Sequence, residues 1–183
     1  MSYAVAINKA WDSLIIASPS KLVSVKFLGD EYSVDLEAKS VISLACNVPA
    51  KDFTAILILH YLVQKAKGLP RLKGVWLTFR ELAGIEGYYA AFRKRSIEPI
   101  IRKYGSKPEN IFTVLERLPA RKAEFKDVSI IVQAFEEVPV LIKLSRPDEE
   151  FGPDANILFD HSVTSIFCTE DIVVLAGLVA AQV

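Results

Sequence analysis

Two apolar runs of strand length in the C-terminal half constrain the fold most. Residues 128–135 and 138–144 are almost entirely apolar, and only Glu136 and Glu137 separate them. A short charged break between two such runs is typical of a turn or bulge that joins two strands. We therefore predict a β-hairpin here, built from strands with large apolar surfaces to bury.

The N-terminal third shows a change of period. Apolar residues recur at helical spacing from Tyr3 to Ile15 and stop before Pro19. Alternation follows on both sides of Gly29 and Asp30, which predicts a second hairpin, and residues 41–46 predict a third short strand. A helix should then begin near Asp52 and end near Gly68. It is apolar nearly all round, so we expect it at the centre of the core.

Helical patterns dominate the middle of the chain and its end. We predict a helical block over residues 87–104 with a break or kink at Pro99, and a short helix over 108–118. A last helix should begin with Thr169 as its N-cap. No linker divides the sequence. The order of elements predicts one α+β domain over residues 1–183, with helices packed on a largely antiparallel sheet.

Composition limits the function. The 22 basic and 22 acidic side chains cancel, which argues against nucleic acid as a partner. No apolar stretch reaches the ~20 residues that a bilayer requires, and the N-terminus does not resemble a secretory signal, so we expect a cytoplasmic protein with no membrane partner. Apolar residues make up 51% of the chain, which predicts either a deep core or a buried interface such as that of a homodimer.

An acidic turn follows the predicted C-terminal hairpin. Asp148, Glu149 and Glu150 precede Phe151 and a Gly-Pro pair, and a second apolar run then ends at Asp160. Crowded carboxylates shift one another's pKa values, so this segment has two interpretations. It is either a solvated turn with a structural aspartate at Asp160 or a site for a cation or for acid and base chemistry.

Arg80 is the basic residue that best fits an acidic partner. It follows Trp76 and Phe79, and its planar guanidinium suits a carboxylate or phosphate. An internal ion pair with the acidic turn and a contact with a ligand are the two alternatives. A second basic stretch, residues 93–95 with 102 and 103, is either an anion site or a solvated helix face.

Histidine and cysteine offer few metal ligands. His161 could join Asp160 and Glu150 in binding a metal or moving a proton, whereas His60 belongs to the apolar helix. Cys46 and Cys168 fall in separate apolar stretches. We predict no stoichiometric transition metal, and no motif in the sequence identifies a nucleotide cofactor or any other.

Several stretches together carry a family resemblance. They are residues 74–82, 87–92, 138–140, 148–151, 157–160 and 169–171. These segments resemble an uncharacterised family from anaerobic bacteria and archaea, described only as a domain of unknown function, over about residues 55–182. Some members follow a four-cysteine iron–sulfur segment of the kind found in corrinoid proteins of one-carbon metabolism. The two cysteines of this sequence do not form such a segment.

Three functional hypotheses follow. The first is a small-molecule or cofactor-binding accessory module of anaerobic metabolism, which the resemblance implies. The second is an enzyme that uses the 148–161 carboxylates and His161. The third is a homodimeric structural or interaction protein. For the first we expect a concave site, and the candidate ligand-binding residues are Trp76, Phe79, Arg80, Asp148, Glu149, Glu150, Phe151, Asp160 and His161.

Overall fold

The computed structural model describes residues 3–125 and 128–183, so residues 1, 2, 126 and 127 of the predicted 1–183 domain lie outside the described part. The described residues form two antiparallel sheets and five α-helices around one continuous hydrophobic core. The predicted α+β class is confirmed. The strands divide between two sheets, of four and five strands, where the sequence predicted one.

The first sheet is a meander that follows the N-terminal helix α1 (Tyr3–Ala17). Its strands pair in chain order, and each is antiparallel to the next. They are β1 (Leu22–Phe27), β2 (Asp30–Asp35), β3 (Ser40–Ser43) and β4 (Val48–Pro49). The predicted helix, hairpin and third strand are all present, although β3 ends three residues earlier than expected.

The turn between β1 and β2 lies one residue earlier than predicted. Leu28 and Gly29 both have positive φ, 51° and 87°, which fits the turns that suit the twist of a hairpin. A side chain at position 29 would be disfavoured by both the backbone conformation and steric contact. Its backbone angle favours glycine, and a Cβ there would lie 3.1 Å from Cδ of Pro119.

The second sheet contains the predicted C-terminal hairpin at its centre. Its strand order is β5-β9-β8-β7-β6. The strands are β5 (Trp76–Thr78), β6 (Ala120–Lys122), β7 (Val128–Phe135), β8 (Val138–Ser145) and β9 (Asp154–Asp160). Glu136 and Glu137 form the turn between β7 and β8. The edge strands β5 and β6 were not predicted, because three residues are too few to show alternation.

Helix α2 (Asp52–Lys67) lies at the centre of the core, as predicted. All residues from Thr54 to Leu59 are buried, and so are Tyr61, Leu62 and Val63. The helix packs between α1 and α5 (Thr169–Gln182) and contacts β1. It ends at Gly68, whose φ of 98° favours glycine and whose N–H is bonded to the carbonyl of Lys65.

The predicted helical block over residues 87–104 is divided. Helix α3 (Tyr89–Phe92) passes into a π-helical turn (Arg93–Ile97) and then into α4 (Glu98–Tyr104). Pro99 explains the break, because it has no N–H to donate to the carbonyl four residues earlier and its ring would clash there. The predicted kink is therefore a widened helical turn.

The short helix predicted over 108–118 is present, and one predicted helix start needs correction. Residues Pro108–Glu116 form the short helix, which is of the 3-10 type. The N-cap of α5 is Cys168, one residue before the predicted Thr169. The hydroxyl of Thr169 instead donates to the carbonyl of Ala83 at 2.8 Å, which ties α5 to the loop before α3.

Val183, the C-cap residue of α5, accepts hydrogen bonds from three side chains. The carbonyl oxygen of Val183 accepts hydrogen bonds from Lys103 Nζ at 2.5 Å, from Arg117 Nη2 at 2.9 Å and from the Tyr104 hydroxyl. Val183 itself is buried. Two cationic donors at the negative end of the helix dipole stabilise this end of α5. None of the described helices is long and apolar enough to cross a membrane.

The core position of α2 predicts a large difference between two leucines. Leu59 is fully buried in α2, whereas Leu22 on β1 is 63% exposed. Leu59→Ala should lower the free energy of unfolding by about 2–5 kcal/mol, because it removes buried methyl groups and leaves a cavity. Leu22→Ala should cost less than about 1 kcal/mol. Urea unfolding of both variants measures the difference, and equal losses would contradict the central role of α2.

Candidate functional site

The structure places the predicted site residues at two ends of one strand. The acidic turn precedes β9, and Asp160 and His161 stand at its end. The seven extended residues of β9 span about 20 Å between the acidic turn and the end of the strand. Glu150 is therefore not brought together with Asp160 and His161, and the shared metal or proton-transfer site that the sequence suggested is not assembled in this structure.

Asp160 fastens a neighbouring loop to β9. Its carboxylate accepts backbone N–H bonds from Lys73 at 3.0 Å, Gly74 at 2.7 Å and Ser162 at 2.9 Å. Asp160 is only 3% exposed. The structural interpretation of Asp160 is thus supported, with donors from the following turn and from the loop before β5. Arg80 is not among these donors.

The surroundings of Asp160 act on its pKa in opposite directions. Burial raises the pKa, but the N–H donors of Lys73, Ser162 and Gly74 favour the charged carboxylate and lower it, and the net pKa lies below the usual value. The carboxylate is therefore ionised and held in place at neutral pH. Its oxygens are used for structure.

His161 also connects the end of β9 to the loop before β5. Its N–H donates to the carbonyl of Val75 at 2.8 Å, and its Nδ1 lies 2.9 Å from Lys73 Nζ. Trp76 pairs with Asp160 between β5 and β9. Trp76 and Asp160 also border a shallow cavity of about 470 Å³ beside Arg121 and Lys122. Of the predicted residues, Trp76, Asp160 and His161 thus form one group.

Phe79 and Arg80 lie apart from that group. Phe79 is buried and stacks on Phe92 with ring centroids 4.1 Å apart, so it belongs to the core. The guanidinium of Arg80 lies 4.3 Å from the ring centroid of Tyr89. Among the residues described, no ion pair joins Arg80 to the acidic turn. The predicted internal ion pair is wrong, because a cation–π contact takes its place.

The acidic turn is organised by its own first residue. Asp148 Oδ1 accepts N–H bonds from Glu150 at 3.0 Å and Phe151 at 2.7 Å. The N–H of Asp148 donates in turn to the carbonyl of Phe151. Glu149 and Glu150 are exposed, and Phe151 is 70% exposed. This is the local hydrogen bonding of a solvated aspartate turn. Ligand binding by these residues stays a prediction.

A polar contact between α2 and α5 was not predicted. His60 Nδ1 lies 2.9 Å from Asp171 Oδ2, and the Cys168 thiol lies 3.3 Å from the same oxygen. Desolvation of the sulfur, together with the nearby charge of Asp171, raises the pKa of Cys168 to about 12. The thiol therefore stays protonated and is a poor nucleophile at neutral pH.

Metal binding has no preformed site in the described chain. Within residues 3–125 and 128–183, no group of three or more His, Cys, Asp or Glu side chains is arranged to hold a metal ion. The expectation that the protein carries no transition metal stays a prediction. Elemental analysis of the purified protein would test it.

Another cavity of the described residues is a groove that none of the predicted site residues lines. It has a volume of about 840 Å³. One wall is the first sheet with the loop that leads into α2, and the other is α5 from Val173 to Gln182 together with Arg95. The apolar lining includes Phe27, Val48, Phe53, Val173, Val174 and Leu178. We name this cavity the α5 groove.

Polar groups enter the α5 groove from both walls. Asp30 and Tyr32 of β2 and Ser43 of β3 line it on the sheet side. Ser43 Oγ donates to Asp30 Oδ2 at 2.6 Å. Burial and the negative charge of Asp30 raise the pKa of Tyr32. Small-molecule sites are concave and combine apolar side chains with polar groups, and the α5 groove has both, with a larger polar share than most such sites.

Sequence reasoning missed this groove because its lining comes from distant segments. Asp30 was interpreted as a turn residue and Arg95 as part of a basic stretch. Gly177 offered the clearest signal. A glycine inside an apolar helix costs about 1 kcal/mol relative to alanine, so it suggests close packing or an open surface. Here Gly177 lies beside Arg95 and borders the groove.

The role of Asp160 can be tested by its pH dependence. Asp160→Asn should lower the free energy of unfolding by about 1–3 kcal/mol at neutral pH, because it weakens the bonds to buried N–H donors. Since the folded pKa is lowered, the wild-type advantage should be full above about pH 5 and shrink as the pH falls through the folded pKa. Asp154→Asn, at the exposed start of β9, is the control. A difference that does not change with pH would contradict this role.

The raised pKa of Cys168 predicts slow alkylation. At pH 8, iodoacetamide should modify Cys168 roughly 100-fold more slowly in the folded protein than in the unfolded chain, because little thiolate is present. Peptide mass spectrometry after timed pulses measures the rate at Cys168 separately from Cys46. The same chain in 6 M guanidinium, about the concentration that unfolds most domains, is the control. Equal rates in the two states would refute the assignment.

No curated protein and no solved structure matches the chain. A family model described as a domain of unknown function, DUF3786, matches residues 12–182. This match begins well before residue 55, where the resemblance in the sequence was expected to start, and it includes the first sheet and the last six residues of α1. The chain therefore belongs to the DUF3786 family of domains of unknown function.

Proposed function

We propose that the protein binds a small molecule or cofactor in the α5 groove. The observation that carries this proposal is the groove itself, about 840 Å³ in volume, with a mixed lining of apolar and polar side chains from both walls. Such a volume lies within the usual range for ligand sites.

The chemistry of the surroundings favours binding over catalysis. The thiol of Cys168 has a raised pKa, and the His60–Asp171 pair beside it joins two helices. The carboxylates of the acidic turn and His161 lie at opposite ends of β9. These positions give an enzyme hypothesis no assembled nucleophile and base. An accessory role in anaerobic metabolism, which the family resemblance implies, belongs to this proposal and stays a prediction.

A homodimer is the alternative to which the surface offers some support. Val5, Ile15 and Ile16 on α1 are exposed, and Ile16 is 87% exposed. Scattered apolar residues are common on protein surfaces, so these three do not define an interface by themselves. Dimerisation stays a prediction, and native mass spectrometry would measure it in the same samples as ligand binding.

A bulky residue in the α5 groove should prevent binding. Ala181 lines the groove near the end of α5 and is exposed, so Ala181→Trp should fill part of the groove and leave the core intact. Native mass spectrometry after incubation with the small-molecule fraction of a cell lysate should show a retained mass on the wild type. That mass should be absent or at least tenfold less abundant on the variant.

Ala66→Trp is the matched control. Ala66 is also an exposed alanine on a long helix, α2, and it does not line the groove. It should retain the same mass as the wild type. Melting curves of both variants report whether each is folded. Equal retention by the two tryptophan variants would refute binding in the α5 groove.

A further inference from the structure

Asp30 places an incompletely bonded carboxylate in the wall of the α5 groove. Its Oδ2 accepts from Ser43 Oγ, and the Tyr32 hydroxyl also interacts with the carboxylate, whereas Oδ1 is shielded from solvent and accepts no hydrogen bond of ordinary geometry from the residues described. No described cation forms an ion pair with it. A buried carboxylate oxygen without a donor is unfavourable and uncommon, so it requires an explanation. A donor supplied by a ligand is one.

Two cationic side chains border the same groove. Lys51 lies in the loop that leads into α2, and Arg95 lies on the π-helical turn beside α5. A Cβ built on Gly177 would be 4.0 Å from Cβ of Arg95, so Arg95 adjoins the α5 wall directly. Within the described chain, neither Lys51 nor Arg95 forms an ion pair. The groove thus carries unpaired charges of both signs.

The charges limit which ligands suit the groove. A purely cationic ligand would be attracted by Asp30 and repelled by Lys51 and Arg95, and a purely anionic ligand would meet the opposite problem. A ligand with both charges would pair with both walls. The apolar side chains between them, including Phe53, Val174 and Leu178, suit a hydrocarbon body.

We propose that the ligand of the α5 groove is a zwitterion with an apolar body, whose protonated nitrogen faces Asp30 and whose anionic group faces Arg95. This inference rests on the proposed function and adds the chemical class of the ligand. Hydrogen bonds to charged groups are stronger than those between neutral groups, so each charged end contributes to selection.

A matched series of three probes separates the charges. The zwitterion 8-aminooctanoate, the cation octylamine and the anion octanoate share a flexible apolar chain of similar length. Titration into ¹⁵N-labelled protein, followed by the amide signal of Gly177, measures the affinity of each probe at the α5 wall. We expect 8-aminooctanoate to bind roughly tenfold more tightly than either single-charge probe.

Two substitutions test which wall of the α5 groove binds which charged end of the probe. Asp30→Asn should reduce the affinity for 8-aminooctanoate about tenfold, to that of octanoate, and should leave octanoate binding nearly unchanged. Arg95→Gln should reduce 8-aminooctanoate binding to that of octylamine. Arg95 is exposed, so this variant keeps the test available if Asp30→Asn does not fold.

The possible results separate this inference from the proposed function. Binding of all three probes with equal affinity, abolished by Ala181→Trp but unaffected by Asp30→Asn and Arg95→Gln, would overturn the zwitterion and leave groove binding intact. No binding of any probe would overturn the zwitterion, while the retained-mass experiment decides groove binding independently. Probe binding that persists in Ala181→Trp would place the probes outside the groove and overturn the inference as well.

Discussion

The burial of α2 on nearly all sides is the constraint on which the rest of the structure depends. A helix with apolar residues around most of its circumference must be enclosed, and here α1, α5 and the first sheet enclose it. Aromatic stacking extends the contact to the second sheet, because Tyr61 of α2 stacks on Phe135 of β7 at 4.3 Å between centroids. The two sheets thus share a core that neither would have alone.

The parts of the fold that could be predicted are those determined locally. The hairpins, α2 and the break near Pro99 follow from alternation, helical period and the missing N–H of proline. The pairing of the short edge strands β5 and β6 could not be predicted in this way. Strand β5 exists because Trp76 pairs with Asp160, and the attached loop is held by the carboxylate of Asp160, a contact across more than eighty residues.

The candidate site shows the same limit more sharply. Proximity in sequence suggested that Glu150 and His161 might act together, but an extended strand places residues near in sequence far apart in space. The α5 groove has the opposite origin. Asp30 and Gly177 border one cavity although almost the whole chain separates them. A single sequence contains no pattern that predicts contact between such distant residues, apart from the glycine in an apolar helix.

The attachment of α5 at both ends has a consequence for how the groove can be entered. At the start of α5, His60 contacts Asp171 in the first turn of that helix. At its end, the side chains of Lys103, Tyr104 and Arg117 donate hydrogen bonds to the Val183 carbonyl. This wall can give way only when contacts to several other elements break. The opposite rim ends in the exposed turn 44–47 and the two-residue strand β4. A change in the width of the α5 groove would therefore come from the sheet side, because α5 is held at both ends.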